Sequence, residues 1–248
     1  MLLTVDRGNT RDKFVLFDGD KLFSEKKKIF SENNFFFSEN NLAETDGKKI
    51  KVDACVFCSV KSDEDDGLFV ENMSKHVPVF KVDKSSKLPF INGYKSSSLG
   101  TDRLALTAGA LRLFGTDVLV IDAGTCITYD YLNADKVYCG GSISPGIQTK
   151  YRALHNFTAK LPLLTEKKSV ALCADNTEDC IVSGVVNGTA AEIEQTIRAY
   201  VNEYSVKTVV LTGGDGEFFY KRLKHHTVYE ESLIHWGLKN IYEINVQK

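Results

Sequence analysis

The sequence has no surplus of either charge: 31 Lys and Arg stand against 33 Asp and Glu, a formal net charge of −2. It therefore lacks the electrostatic footprint of a nucleic-acid binder, and no nucleic-acid partner is expected. Long apolar runs are missing too. The stretches without a charged residue are too short and too polar to span a bilayer, so no membrane partner is expected. The N-terminus enters a strand pattern directly, with no basic region followed by an apolar one, and no secretory signal is expected. Six cysteines in 248 residues do not make a disulfide framework. Cys55-Val-Phe-Cys58 has metal or redox spacing. No second such pair and no paired histidines complete a site, so it reads as two structural thiols in an apolar strand. The five histidines form no ligand pattern, and His225-His226 reads as a solvated turn. There is no Gly-x-Ser-x-Gly elbow and no Walker-type Gly-x-x-x-x-Gly-Lys-Ser/Thr. Free thiols without export point to the cytoplasm.

What the chain does contain is a motif written twice. Leu2-Leu3-Thr4-Val5 runs into Asp6-Arg7-Gly8-Asn9-Thr10, and Val118-Leu119-Val120-Ile121 runs into Asp122-Ala123-Gly124-Thr125. Each is followed by a second strand-like run, Phe14 to Phe17 and Ile127 to Tyr131. One such motif could be an ordinary strand-to-turn corner. Two in the same local context, close to half a chain apart, read as an internal duplication with one acidic phosphate-and-cation loop per half. Glycine lets the backbone turn sharply and bring its N–H groups to phosphate oxygens. A carboxylate beside phosphate needs a bridging cation, because like charges repel.

Length allows one or two domains and a sizeable core. Residues 1 to about 30 read as a three-stranded meander turning at Phe17-Asp18-Gly19-Asp20, with Lys21 to Phe30 as the third strand. Residues 31–49 read as either a short helix or a loop. Asp53 to Val60 is a strand. The acids of Lys61-Ser-Asp-Glu-Asp-Asp-Gly are consecutive rather than convergent, so they read as a solvated helix start before Leu68 to Lys75. Val77 to Val82 is a strand, and Leu104 to Phe114 a helix with Thr101 or Asp102 at its first turn. That carboxylate either caps the helix or, beside Arg103 and after Gly100, holds a polar substrate; spacing does not choose between them.

The second half repeats the plan. Strands are expected at 118–122 and 127–132, then Val137 to Ile143, then a helix from Ile147 to Asn156. Thr177 to Tyr204 is the longest helical pattern. Gly184 and Gly188, one turn apart, suit close helix approach in the core or at a subunit contact. Lys207 to Leu211 is a strand ending in Thr212-Gly213-Gly214-Asp215-Gly216. Helices Glu217 to Leu223 and Leu233 to Tyr242 flank Thr227 to Tyr229. Alternating strands and helices make the class α/β.

Read together and in order, several motifs carry a family resemblance. They are Asp6-x-Gly-Asn-Thr, Tyr94, Gly100-Thr-Asp-Arg103, Asp122-x-Gly-Thr-x-x-Thr-x-Asp130, Gly140-Gly-x-Ile-x-Pro-Gly146, Thr158-Ala-x-Leu-Pro162, Asn176-Thr177 and Thr212-Gly-Gly-Asp215. Over nearly its whole length the chain resembles type III pantothenate kinases, in the superfamily of acetate and sugar kinases, heat-shock ATPases and actin. The resemblance implies an actin-like ATPase fold of two duplicated ribonuclease H-like βββαβαβ units, expected here as residues 1–115 and 116–248, with nucleotide in the cleft between them. It implies ATP-dependent phosphorylation of pantothenate to 4′-phosphopantothenate, the first step toward coenzyme A. It also implies Mg²⁺, a monovalent cation (K⁺ or NH₄⁺) and a homodimer.

Carried over by position, the loop Asp6, Arg7, Gly8, Asn9, Thr10, Arg11, Asp12 and Lys13 contacts ATP phosphates, joined by Thr125. Asp6 serves Mg²⁺ through water, and Asp122 lies at the monovalent cation. Asp102 accepts the substrate proton. Tyr94, Gly100, Thr101, Asp102, Arg103 and Thr177 contact pantothenate, and Gly213 and Gly214 lie near the adenosine. The planar fork of Arg103 suits pantothenate's carboxylate. Arg7 departs from the family, which has a small apolar residue there; Ser97 and Cys126 are lesser departures. The alternative is a non-catalytic regulator on the same fold that binds a nucleotide or metabolite. Retention of Asp6, Asp102, Arg103 and Asp122 argues against it.

Overall fold

The computed structural model describes residues 1–8, 11–23, 36–38, 42–45, 48–96 and 98–246. It divides into two compact units, one of residues 1–113 with 232–248 and the other of residues 114–231. The first unit opens with β1 (Leu2–Arg7), β2 (Asp12–Asp18) and β3 (Lys21–Leu22). These pair antiparallel in sequence, turning at Gly19 with φ +55°. The rest of the expected third strand, 24–30, lies outside the described residues. Three short strands follow, β4 (Phe36–Ser38), β5 (Leu42–Thr45) and β6 (Lys48–Lys51). They form an antiparallel sheet of their own, so this stretch, open between helix and loop in the sequence, is in its described part strand. Next come β7 (Ala54–Ser59), α1 (Asp63–Ser74), β8 (Val79–Lys81), β9 (Ile91–Asn92) and α2 (Thr101–Phe114).

The second unit contains β10 (Val118–Ala123), β11 (Cys126–Leu132), β12 (Val137–Pro145) and α3 (Ile147–Asn156). It continues through α4 (Thr177–Val182), a π-helical turn (Ser183–Asn187), α5 (Gly188–Tyr204), β13 (Thr208–Thr212), α6 (Gly216–Tyr220) and β14 (Val228–Tyr229). The last helix, α7 (Leu233–Val246), packs against β1 and β7, so the C-terminal residues compact with the first unit rather than with the half they follow in sequence.

The two units share one strand order. The first unit's main sheet runs β3-β2-β1-β7-β8, and the second unit's strands run β12-β11-β10-β13-β14. In each, three antiparallel strands are extended by two parallel ones. This is the duplicated plan expected of an actin-like ATPase fold. The central strands β1 and β10 are buried along almost their whole length, as strands covered on both faces are. Leu3, Val5, Phe14, Leu16, Cys55 and Phe57 lead the first core; Leu119, Ile121, Ile127, Tyr129, Ile193 and Leu211 lead the second.

Two sequence expectations need correction. The 177–204 pattern is not one regular helix, because a π-turn at Ser183–Asn187 interrupts it while keeping Val182, Val185, Val186, Ile193 and Ile197 on the buried side. Gly184 and Gly188 mediate no close approach within the chain, since a Cβ on either would meet no described atom within 4 Å, and the alternative of a subunit contact is untouched by this. The close approach is made elsewhere, by Gly109 of α2 and Gly237 of α7. A Cβ on Gly237 would lie 1.7 Å from the Ala105 carbonyl oxygen, and one on Gly109 2.1 Å from that of Leu233. Beside this crossing, His235 Nδ1 lies 2.9 Å from Thr4 Oγ1. That hydroxyl donates to the Val15 carbonyl, so the imidazole donates through Nδ1. Burial holds His235 neutral by lowering its pKa to about 3.

Gly237→Ala should force α2 and α7 apart at a cost of about 1–3 kcal/mol. The melting temperature should fall by about 2–4 °C per kcal/mol in a protein of this size. Gly67→Ala, at an exposed α1 position where a Cβ meets nothing within 4 Å, should raise it instead. Thermal unfolding of the two variants side by side checks this, and equal shifts would contradict the packing account.

Candidate functional site

In the first unit β1 delivers Asp6 to the end of a buried strand, where two neighbours meet it in register. Asp6 lies opposite Lys13 on β2 and opposite Cys58 on β7. Lys13 Nζ is 3.8 Å from Asp6 Oδ2, and Cys58 Sγ donates to Oδ1 at 4.0 Å. The start of α2 is tied to the same edge of the sheet, because Thr101 Oγ1 donates to the Ser59 carbonyl at 3.3 Å. That tie brings the carboxylate of Asp102, in the first turn of α2, into electrostatic range of Asp6. Burial is the main cause that pushes the Asp6 pKa from 3.8 up to about 6. Lys13 opposes the shift; Asp102 and Asp12 add to it. Burial also raises Asp102, against the Arg103 backbone N–H and the Arg103 charge, which favour its ionised form. The Cys58 thiol is pushed up by burial and then by the two carboxylates, so it stays neutral.

Other candidate residues of this unit are placed around that pair. Gly100 immediately precedes α2, and Arg103 follows Asp102 on its first turn. Arg103 is buried, with its guanidinium carbon 5.7 Å from the Tyr94 ring centroid, so these two candidates do come together. Gly8 and Arg11 lie in the turn between β1 and β2; Asn9 and Thr10, and Ser97 before α2, are outside the described residues. The side chains of Arg7 and Asp12 are both buried and bound to each other, Arg7 Nε donating to Asp12 Oδ2 at 3.2 Å. Within the protein these two side chains bind each other, so what the turn offers beyond them is its backbone and the side chains of Arg11 and Lys13. The acids in the first turn of α1 also differ from expectation. Ser62 caps the helix, but Asp66 is buried and paired with Arg7 and Lys81 instead of being solvated.

In the second unit Asp122 occupies the place of Asp6, lying opposite Thr128 on β11 and Thr212 on β13. Gly213 makes this corner possible. Its φ is +88°, and a Cβ there would lie 2.1 Å from Asp122 Oδ1 and 2.5 Å from the Ala123 carbonyl oxygen. The next turn is fastened by the Asp215 N–H to the Ala123 carbonyl at 2.8 Å, and the Asp215 carboxylate binds Lys167. Thr125 is exposed; its carbonyl accepts from the Gly146 N–H at 3.0 Å and from Thr149 Oγ1 at 2.7 Å. Thr177 is exposed at the start of α4, where Asn176 caps the helix through the Asp179 N–H.

Three participants escaped the sequence reading. Cys58 seemed a plain core thiol, yet it touches Asp6. Ser59 anchors α2 through its carbonyl. Lys167 closes on the glycine-rich turn. Each depends on strand register or on a long-range contact, and no local pattern marks them. Cys55, three residues before Cys58 and so on the opposite face of β7, is the core thiol expected, with burial pushing its pKa up to about 12.

A family model described as type III pantothenate kinase matches residues 2–199. A relative of that name from Christiangramia forsetii is 38% identical over 99% of this chain and 99% of its own length. Another from Flavobacterium psychrophilum is 40% identical over 98% of this chain and 99% of its own. Among solved structures, a conserved putative Baf family transcriptional activator from Campylobacter jejuni matches with a TM-score of 0.63 and 24% identity, over 98% of each chain. The ethanolamine utilization protein EutJ from Carboxydothermus hydrogenoformans matches with a TM-score of 0.50 and 11% identity, over 96% of this chain and 89% of its own. These two structural likenesses show a shared fold.

The raised Asp6 has a consequence for stability. Its folded-state pKa lies above its ordinary value, so the stability it contributes is complete below pH 3.8 and is lost as pH rises through about 6. In magnesium-free buffer, Asp6→Asn should raise the melting temperature at pH 8, by about 2–4 °C for each kcal/mol recovered, and leave it nearly unchanged near pH 4. Differential scanning fluorimetry at both pH values tests this. A lower melting temperature at pH 8 would show that Asp6 is held by favourable rather than opposing charge.

Proposed function

This chain belongs to the type III pantothenate kinase family, and we propose that Asp102 is the general base of its reaction while Asp6 serves the magnesium of the bound nucleotide through water. The reaction is ATP-dependent phosphorylation of pantothenate in coenzyme A biosynthesis. The observation that carries the assignment of roles is the pairing of two carboxylates with raised pKa at one sheet edge, one ending a strand and one starting a helix.

Phosphoryl transfer asks a protein for alignment and charge neutralisation more than for covalent chemistry. The primary hydroxyl of pantothenate attacks the γ-phosphorus, its proton passes to an Asp102 carboxylate oxygen, and ADP leaves with the electrons of the broken P–O bond. Burial makes Asp102 a better proton acceptor than a solvated carboxylate. Backbone N–H groups at the start of α2 orient it. Asp6 is a hard oxygen donor whose charge is only partly offset by Lys13, a donor set that fits a hydrated magnesium ion. Among the described residues no group of three or more His, Cys, Asp or Glu could hold a metal, so water and phosphate would complete its shell. When bound, that ion neutralises phosphate charge. The turn from Asp6 to Lys13, together with Thr125, takes the ATP phosphates in this reading, the side chains of Arg11 and Lys13 and the backbone at Gly8 foremost. Asn9 and Thr10 keep the same assignment on sequence grounds. Arg103 holds the pantothenate carboxylate, steadied by the Tyr94 ring, and Gly100, Thr101 and Thr177 complete the substrate contacts.

Asp122 takes the monovalent cation, supported by its position at the end of a buried strand with Gly213 leaving room beside it. A homodimer is proposed from the second unit's surface. Phe157 and Leu172 are 88% and 85% exposed there, and Gly184 is open to an approaching chain. The six free thiols agree with a reducing cytoplasm. The word activator in the Campylobacter jejuni protein's name stays with that protein. At 24% identity its likeness shows fold, and the regulator alternative gains nothing from it.

A coupled ADP-release assay with pantothenate and ATP varied independently tests the roles. Asp102→Asn should lower kcat by about 10²–10⁴-fold with little change in ATP binding. Asp6→Asn should raise the KM for ATP as well as lower kcat. Near-normal kcat in Asp102→Asn would reduce that residue to a helix cap. Activity should rise with K⁺ or NH₄⁺ and be poor in Na⁺ alone, and equal rates in all three would remove the role of Asp122. Light scattering should give a dimer; a fully active monomer at micromolar concentration would refute the assembly.

A further inference from the structure

The hairpin that carries Asp6 closes on two successive cross-strand pairs, and both pairs are oppositely charged: Asp6 with Lys13, then Arg7 with Asp12. Side chains alternate faces along a strand, so the two pairs point opposite ways. Asp6 and Lys13 share the face with Asp102. Arg7 and Asp12 share the face covered by α1. There Arg7 Nη1 donates to Asp66 Oδ1 at 2.8 Å and to the Asp65 carbonyl at 3.0 Å. Its guanidinium carbon sits 4.5 Å from the Phe69 ring centroid. Lys61 Nζ meets Asp12 Oδ1 at 2.8 Å, and Lys81 Nζ meets Asp66 Oδ2 at 2.8 Å.

The duplicated second unit supplies a comparison inside the same chain. At the place held by Arg7 and Asp12 it has Ala123 opposite Ile127, both buried in its core. An apolar pair is therefore enough to close the corresponding turn. Replacing buried ion pairs with apolar residues is often neutral or stabilising, so stability does not account for the charged cluster. What the guanidinium fork adds is direction, because it fixes several acceptors in one plane at once.

We propose that Arg7 is a positioning residue for ATP: through Asp12, Asp66 and the Asp65 carbonyl it locks both ends of the β1–β2 turn onto α1, without touching the nucleotide. The inference rests on that turn being the phosphate loop. Its expected effect is on the nucleotide, because the bonds of Arg7 and Asp12 run to α1 and Lys61, whereas Asp102 and Arg103 belong to α2.

The test copies the second unit's apolar pair into the first as Arg7→Ala with Asp12→Ile, beside Arg7→Lys, which keeps the charge and loses the fork. Melting temperature, kcat and both KM values are measured with the full-length protein. The double variant should melt within a few degrees of wild type. Its KM for ATP should rise at least about tenfold, equivalent to 1.4 kcal/mol, and its KM for pantothenate should move less than about twofold. Arg7→Lys should move the same constant in the same direction. If the double variant does not fold, Lys61→Met, altered at a partly exposed contact to Asp12, should still raise the KM for ATP selectively. A folded variant with an unchanged KM for ATP, or with both KM values rising together, overturns the clamp. Asp6→Asn separates the two readings: if it raises the KM for ATP while the Arg7 variants do not, the phosphate loop stands and the clamp falls. If Asp6→Asn leaves that KM unchanged, the loop reading fails and the clamp with it.

Discussion

Ending a buried strand on a carboxylate is unfavourable when the group ionises, and this chain places one at such a strand end twice. Charge taken out of water must be matched by an opposite charge, by hydrogen bonds or by a ligand. At Asp6 the match within the protein is incomplete. Lys13 approaches on one side, but burial, Asp102 and Asp12 together prevail, and the carboxylate is left with a raised pKa. A site in that condition gains most from a bound cation. Asp102 is held near Asp6, and its charge adds to that shift. The fold supplies the restraint through an ordinary bond from Thr101 to the Ser59 carbonyl.

The hairpin around Asp6 divides its work by face. Strand alternation sends Asp6 and Lys13 one way and Arg7 and Asp12 the other. The first pair is left partly unbalanced. The second is buried against Phe69 and bound into Asp66, Lys61 and Lys81, where each charge meets an opposite one. One hairpin thus carries a partly offset charge on one face and a set of matched ion pairs on the other.

Duplication explains the shared strand order of the two units, and divergence shows where the demands on them differ. Asp6 has Cys58 beside it in register, and Asp122 has Thr212. Between the third strand and the parallel pair, the second unit has α3, the π-turn and α5, whereas the described residues of the first unit have the small sheet β4-β5-β6. Helix α7 follows the second unit in sequence but packs against β1 and β7. Glycines at 109 and 237 let its backbone reach that of α2.

By itself the sequence determined the class, the duplication, the strands that carry Asp6 and Asp122, and the helix of Leu104 to Phe114 with Thr101 or Asp102 at its first turn. All of these are local: an apolar run, a glycine after an aspartate, a period of two or of three to four. The same local signals located Asp102 and Arg103 but left cap and catalyst equal, because the choice depends on what lies across from them. Tertiary structure decided that Cys58 faces Asp6, that Arg7 turns toward α1 and away from the loop's outer face, that Asp66 is buried, and that α7 returns to the first strand. It also decided that the expected long helix breaks into a π-turn and that its glycines face open space. Register and long-range packing are set by partners distant in the chain, and a one-residue slip in pairing would exchange the two faces of β1. No local pattern carries that information, so only the folded chain could show that Asp6 meets Lys13 and Cys58 while Arg7 meets Asp12 and Asp66.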